Sequence, residues 1–117
     1  MGLDSGLIDS NKNELMYWGK ANAIHRWFVL NVQGGEDDCK MYKVTYEQIE
    51  DLLKVIKKVL DSEELAEECL PSCEGFFFGD TEYNEWYFQY LKKTYDTLTE
   101  KLKGYSKKNK FNYWSSW

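Results

Sequence analysis

One proline, Pro71, and one histidine, His25, occur in the 117 residues, together with only three cysteines. So little proline favours long uninterrupted elements over a loop-rich sandwich. A single histidine restricts imidazole catalysis to arrangements built on His25. Cys39, Cys69 and Cys73 are odd in number and irregularly spaced, a poor disulfide framework that points to the cytoplasm. Three residues separate Cys69 from Cys73, so the Cys-x-x-Cys pair of most zinc sites is missing. No apolar run approaches the roughly 18 to 20 residues needed to span a bilayer, so no membrane contact is expected. Residues 1–15 lack a basic segment leading into an apolar one, the pattern of a signal peptide. Gly6 stands where a myristoylation signal requires Ser or Thr. Neither Gly34-Gly35 nor the pair Gly75 and Gly79 forms a phosphate-binding loop, and there is no Gly-x-Ser-x-Gly elbow. No cofactor or metal is expected. Positive charge is also short. The net charge is −5, and direct nucleic-acid binding is not expected without a basic field.

What is present is a globular composition, 43% hydrophobic and 30% charged, in a length that suits one domain. A chain of this size can bury roughly two-thirds of its unfolded surface. The charge is uneven. The segment 104–117 holds Lys107, Lys108 and Lys110 and no acid, which leaves the rest of the chain more acidic than the total suggests.

Residues 1–13, rich in Gly, Ser, Asp and Asn, read as a flexible leader. Over 14–32, Ala23, Ile24, Trp27 and Phe28 fall at helical spacing, and Gly34-Gly35 closes that helix. Glu36, Asp37 and Asp38 extend the break as a solvated acidic loop. Residues 39–44 suit a brief strand or extended chain. Thr45 with Gln48 forms a capping box, followed by Ile49, Leu52, Leu53, Ile56, Val59 and Leu60 on one helical face. Five carboxylates fall between Asp61 and Glu68, in a polar turn or short helix before Pro71. Asp80 or Thr81 can cap a last helix that carries Tyr83, Tyr87, Tyr90, Leu91, Leu98 and Leu102 inward, with Gly104 at its end. The expected architecture is mainly α: a three-helix antiparallel bundle with a short extended or β insert. Residues 14–104 form the helical domain, and 105–117 a basic-aromatic tail that straps over it or frays.

Eight of the residues from Phe76 to Tyr90 are aromatic. A helix buries about half its circumference. Trp86, Tyr87 and Phe88 are consecutive, so they cannot all face one core. Phe76, Phe77, Phe78, Tyr83, Trp86 and Phe88 are therefore the candidate binding rings, as hot-spot residues or stacking platforms. The competing reading is a core filled with rings. Asp80 and Glu85 beside them suit acid–base or cation chemistry, or simply the start of a helix. His25 completes the candidate set. It could pair with a cysteine, join Cys39, Cys69 and Cys73 around zinc, or serve the fold.

Two segments, YWGKANAIHRWFV at 17–29 and GFFFGDTEYNEWYF at 75–88, resemble a small family of tailed-phage and prophage proteins. Its pattern covers most of residues 17–102 and includes His25 and the GFFFG stretch. Cys69, Cys73 and both chain ends fall outside it. The resemblance implies a phage or prophage origin only, and the location expected for the chain is the cytoplasm of the bacterial host cell. The expected role is a binding protein that inhibits or sequesters a host component, such as a CRISPR or nucleotide-signalling defence. Its partner would be a host protein or a nucleotide ligand met through aromatic and acidic groups. A homo-oligomer is compatible with the sequence. The alternative is a small enzyme or metal protein using His25 with carboxylates or cysteines.

Overall fold

The computed structural model describes residues 3–72 and 82–117. It corrects the expected helical bundle: the chain is α+β, with helices packed on an antiparallel four-stranded sheet. Strands β1 (Asp4–Asp9) and β2 (Glu14–Gly19) form a hairpin, and α1 (Asn22–Asn31) follows. Then come β3 (Tyr42–Thr45), α2 (Tyr46–Asp61), a 3-10 turn (Glu63–Leu65), α3 (Ala66–Cys69), α4 (Glu85–Leu102) and β4 (Lys110–Ser116). The strand order is β2-β1-β4-β3.

The expected leader and tail are thus the two central strands. They pair along their whole length, from Asp4 opposite Ser116 to Asp9 opposite Phe111. The turn-forming composition of residues 1–13 belongs to a hairpin. Asp9 accepts from the backbone of Asn11 (2.8 Å) and Asn13 (2.9 Å), and Lys12 takes a positive φ of 66°. The Asn13 backbone bond, above all, holds the Asp9 carboxyl below its ordinary pKa. Tyr105 donates to its second oxygen at 2.8 Å, tying the α4–β4 connection to the same hairpin.

Helical spacing misled over 14–21 because a bulge disguises the strand. Leu7 faces Met16 but Ile8 faces Glu14, so Leu15 is an extra residue, and Leu15 and Met16 are both buried. The first helix is therefore only ten residues long. Gly34 and Gly35 follow it with positive φ, and the Gly35 N–H bonds the Val29 carbonyl at 2.7 Å. The capping box of α2 is present in both directions, Gln48 N to Thr45 Oγ1 at 3.1 Å and Thr45 N to Gln48 Oε1 at 2.8 Å. The cap of α4 is Asn84, which accepts from the Tyr87 N–H. Asp80 and Thr81, expected in that role, lie outside the described residues.

The core lies between the sheet and the helices. Leu7, Met16, Trp18, Val44, Phe111 and Tyr113 meet Ile24 and Phe28 of α1, Ile49, Leu52, Ile56 and Val59 of α2, and Tyr87, Tyr90, Leu91 and Leu98 of α4. Polar tips of the buried rings are satisfied in place. Trp18 Nε1 donates to Thr94 Oγ1 (2.7 Å), Tyr87 O–H to the Leu70 carbonyl (2.6 Å), and the Tyr90 hydroxyl accepts from Ala23 N–H (3.2 Å). The other face of the sheet carries Tyr17 and Trp114, on strands either side of Gly6. Trp114 lies so close over Gly6 that a Cβ there would collide with the indole. Gly6→Ala is expected to cost about 1–3 kcal/mol by overpacking. Adding Trp114→Ala should return part of that loss in a thermal melt, and no recovery would place the strain elsewhere.

Candidate functional site

His25 is fully buried on α1, and both of its ring nitrogens are engaged. Nε2 lies 2.8 Å from Asp37 Oδ1, and Nδ1 lies 2.7 Å from the Tyr113 hydroxyl. Burial holds the imidazole pKa below its ordinary value, against the opposing pull of Asp37. Burial also drives the Tyr113 phenol well up. The neutral tautomer satisfies the set, with Nε2–H donating to Asp37 and Nδ1 accepting from Tyr113. Trp117 Nε1 donates to the same Asp37 oxygen at 3.0 Å, so α1, the following loop and the end of β4 meet at one carboxylate.

The order Asp–His–hydroxyl is that of a general-base chain. Here neither the His25 ring nor Tyr113 is accessible, and Tyr113 is stacked on Phe28 with centroids 3.9 Å apart and planes 8° apart. A base must come within hydrogen-bond reach of the proton it takes. In this conformation the network crosslinks the fold. The carboxylate it uses, Asp37, comes from the loop expected to be solvated. Tyr113 and Trp117 come from the expected tail. The alternation of Phe111, Tyr113 and Ser115 inward was the signal that could have marked that segment as a strand.

The zinc arrangement is not assembled among the described residues, where no cluster of histidine, cysteine and carboxylates is placed to hold a metal. Cys39 is exposed and Cys69 half-buried, and Cys73 lies outside the described residues.

Of the candidate rings, Phe76, Phe77 and Phe78 lie outside the described residues, as does Asp80. Tyr83 is half-buried, packs edge-on to Tyr87, and its hydroxyl accepts from the Ser72 N–H. Tyr87 and Tyr90 are core residues, as helical spacing implied. Glu85 is exposed in the first turn of α4 and accepts from Gln89 Nε2 at 3.1 Å. Trp86 and Phe88 turn to opposite flanks of the helix. Trp86, 46% exposed, lines a groove of about 190 Å³ with Met16, Tyr17, Trp18, Gln89 and Lys93. Phe88 is half-buried in a hollow of about 370 Å³ formed with Leu60, Glu63, Glu85, Gln89 and Lys92. A further groove of about 340 Å³ between α2 and α4 is lined by Tyr46, Leu53 and Tyr95 under Lys54, Lys57 and Lys103. None of the described candidate residues lines it.

The acidic run after α2 continues the Phe88 hollow. Glu63 lines it, and Glu64, Glu67 and Glu68 are all exposed on the short helical turns beside it. Among the described residues none of these four carboxylates is in an ion pair. The site is therefore a partly exposed ring in a shallow hollow, with carboxylates along one rim that no described residue neutralises.

No protein-family profile, curated protein or solved structure matches this chain. Among the described residues no helix is long and apolar enough to cross a membrane.

Proposed function

We propose that the chain is a phage-encoded binding protein that sequesters or inhibits a host component in the bacterial cytoplasm, acting against a host defence system. The observation that carries this reading is the Phe88 hollow with its acidic rim. A half-buried ring is a binding anchor whose neighbours already hold it in place, so little entropy is lost on docking. The unpaired carboxylates beside it attract a basic surface and speed encounter with it. Basic surfaces that normally receive nucleic acid are the partners such a rim suits, and a protein that occupies one blocks it. The burial of His25 favours binding over chemistry at that residue.

The test is a plating assay, in which the chain is expressed in host cells that carry a defence system and are challenged with phage. Wild-type protein is expected to restore plating. Phe88→Ser combined with Glu63→Lys and Glu67→Lys should lose at least about tenfold in partner affinity, the scale of one hot-spot residue. Glu63 and Glu67 are exposed, whereas Phe88 is half-buried and edge-on to Tyr87, so a cooperative thermal melt of the variant is the control for folding. A folded triple variant with full activity would overturn the assignment of this surface.

A further inference from the structure

The two ends of the sheet are guarded differently. Edge strand β3 is four residues long and carries exposed Lys43, devices that discourage pairing with another chain. Edge strand β2, at the other end, is six residues long, and within it only Glu14, its first residue, is charged. Its bulge lies at the start, so the run from Met16 to Gly19 pairs regularly with β1, and among the described residues no strand lies on its other side. That side is the Trp86 groove. Met16, Tyr17, Trp18 and Gly19 all line it. Consecutive strand residues point to opposite faces, so what touches all four runs along the edge itself. The opposite wall is one stripe of α4: Trp86, Gln89, Tyr90 and Lys93.

We infer that this edge pairs with the same edge of a second copy of the chain. Two antiparallel β2 strands would join the sheets across a two-fold axis, with the α4 helices side by side behind them. The charge pattern carries the argument. A two-fold interface must be complementary to itself, with each residue meeting the mate of its own partner. On α4, Glu85 and Lys93 are equally distant in sequence from Gln89. Tyr17 and Gln89 line the same groove, so one axis can serve both elements. Antiparallel pairing about Tyr17 sets Met16 against Trp18 of the other copy, within the regular part of the strand. Pairing about Gln89 sets Glu85 against Lys93 of the other copy. Among the described residues, Lys93 has no acidic partner within its own chain. The same contact covers Tyr17 and Trp86, exposed at 47% and 46%, which are among the largest apolar side chains left in solvent. Glu85 and Gln89 also line the Phe88 hollow, so this interface adjoins the proposed partner surface, while Tyr17, Trp86 and Lys93 belong to the dimer contact alone.

The experiment is sedimentation velocity on the full chain across a concentration series, with charge-swapped variants. Wild type is expected to reach twice the chain mass. Lys93→Glu alone, and Glu85→Lys alone, should each weaken association by roughly tenfold or more, since each places like charges together at two symmetric points. The double variant, Glu85→Lys with Lys93→Glu, should recover association because the pairs re-form with reversed sign. Circular dichroism melts show that each variant is folded. A wild-type chain that stays monomeric throughout overturns the proposal. So does a dimer indifferent to the single reversals, or one that the double variant fails to restore.

Discussion

Removing residues 110–117 is expected to abolish folding, not merely to trim an end. The segment is β4, an interior strand hydrogen-bonded to β1 on one side and β3 on the other. Without it β3 has no neighbour, and the β1–β2 hairpin stands alone, which is marginal in water. Phe111 and Tyr113 are fully buried, and each contributes about 2–3 kcal/mol by transfer from water. The lost Phe28–Tyr113 stack adds about 1 kcal/mol beyond area. Leaving the backbone of two strands unpaired adds more. Together these reach the total stability of a domain this size, about 5–15 kcal/mol. Far-ultraviolet circular dichroism and a urea titration would show the loss as a missing cooperative transition. A docked tail would behave otherwise: its removal would lower the midpoint and keep the transition. Retained cooperativity would therefore contradict the central position of β4.

Replacing His25 is expected to give the second large effect, with a pH signature. His25→Ala removes a buried side chain and strands the Tyr113 hydroxyl without its ring partner. Cavity and unsatisfied donor together should cost roughly 2–4 kcal/mol at neutral pH. In the wild-type chain the folded imidazole has its pKa lowered from 6.5 by burial. Between the folded value and 6.5, the unfolded chain binds a proton that the folded chain does not. Stability is thus fully present above that window, falls as pH drops through it, and levels off below the folded value. Urea midpoints measured from about pH 7.5 down to about pH 5 should decline in wild type and decline less in His25→Ala. Parallel pH profiles would show that His25 is not the titrating group. Asp9 adds its own loss at lower pH, because a carboxyl whose pKa is depressed stabilises until it is protonated.

These two expectations fall on the parts of the chain that local reading treated least well. Residues 110–116 look like a basic-aromatic tail because Lys107, Lys108 and Lys110 crowd its start. Those lysines are exposed at the turn before and the first position of a strand. Asp37 looks like loop filler among acids, yet it receives His25 and Trp117. Nothing local separates it from Glu36 or Asp38. Only the return of β4 past α1, more than seventy residues later in the chain, makes it the anchor.

Local chemistry by itself determined α2, because a capping box and an apolar stripe act within four residues of each other. It likewise determined the glycine stop after α1 and the inward turn of Tyr87 and Tyr90. It also required that the aromatic stretch be divided, since adjacent rings on a helix cannot share one face. Tertiary structure alone decided the rest: that both chain ends pair as central strands, that His25 meets Asp37 and Tyr113, and that Trp86 faces the free edge of β2 while Phe88 faces the acids. A helix closes its hydrogen bonds over four residues and so is written locally. A sheet strand is satisfied by a partner anywhere in the chain, and short strands such as DSGLID and KFNYWSS carry too little periodicity to name theirs.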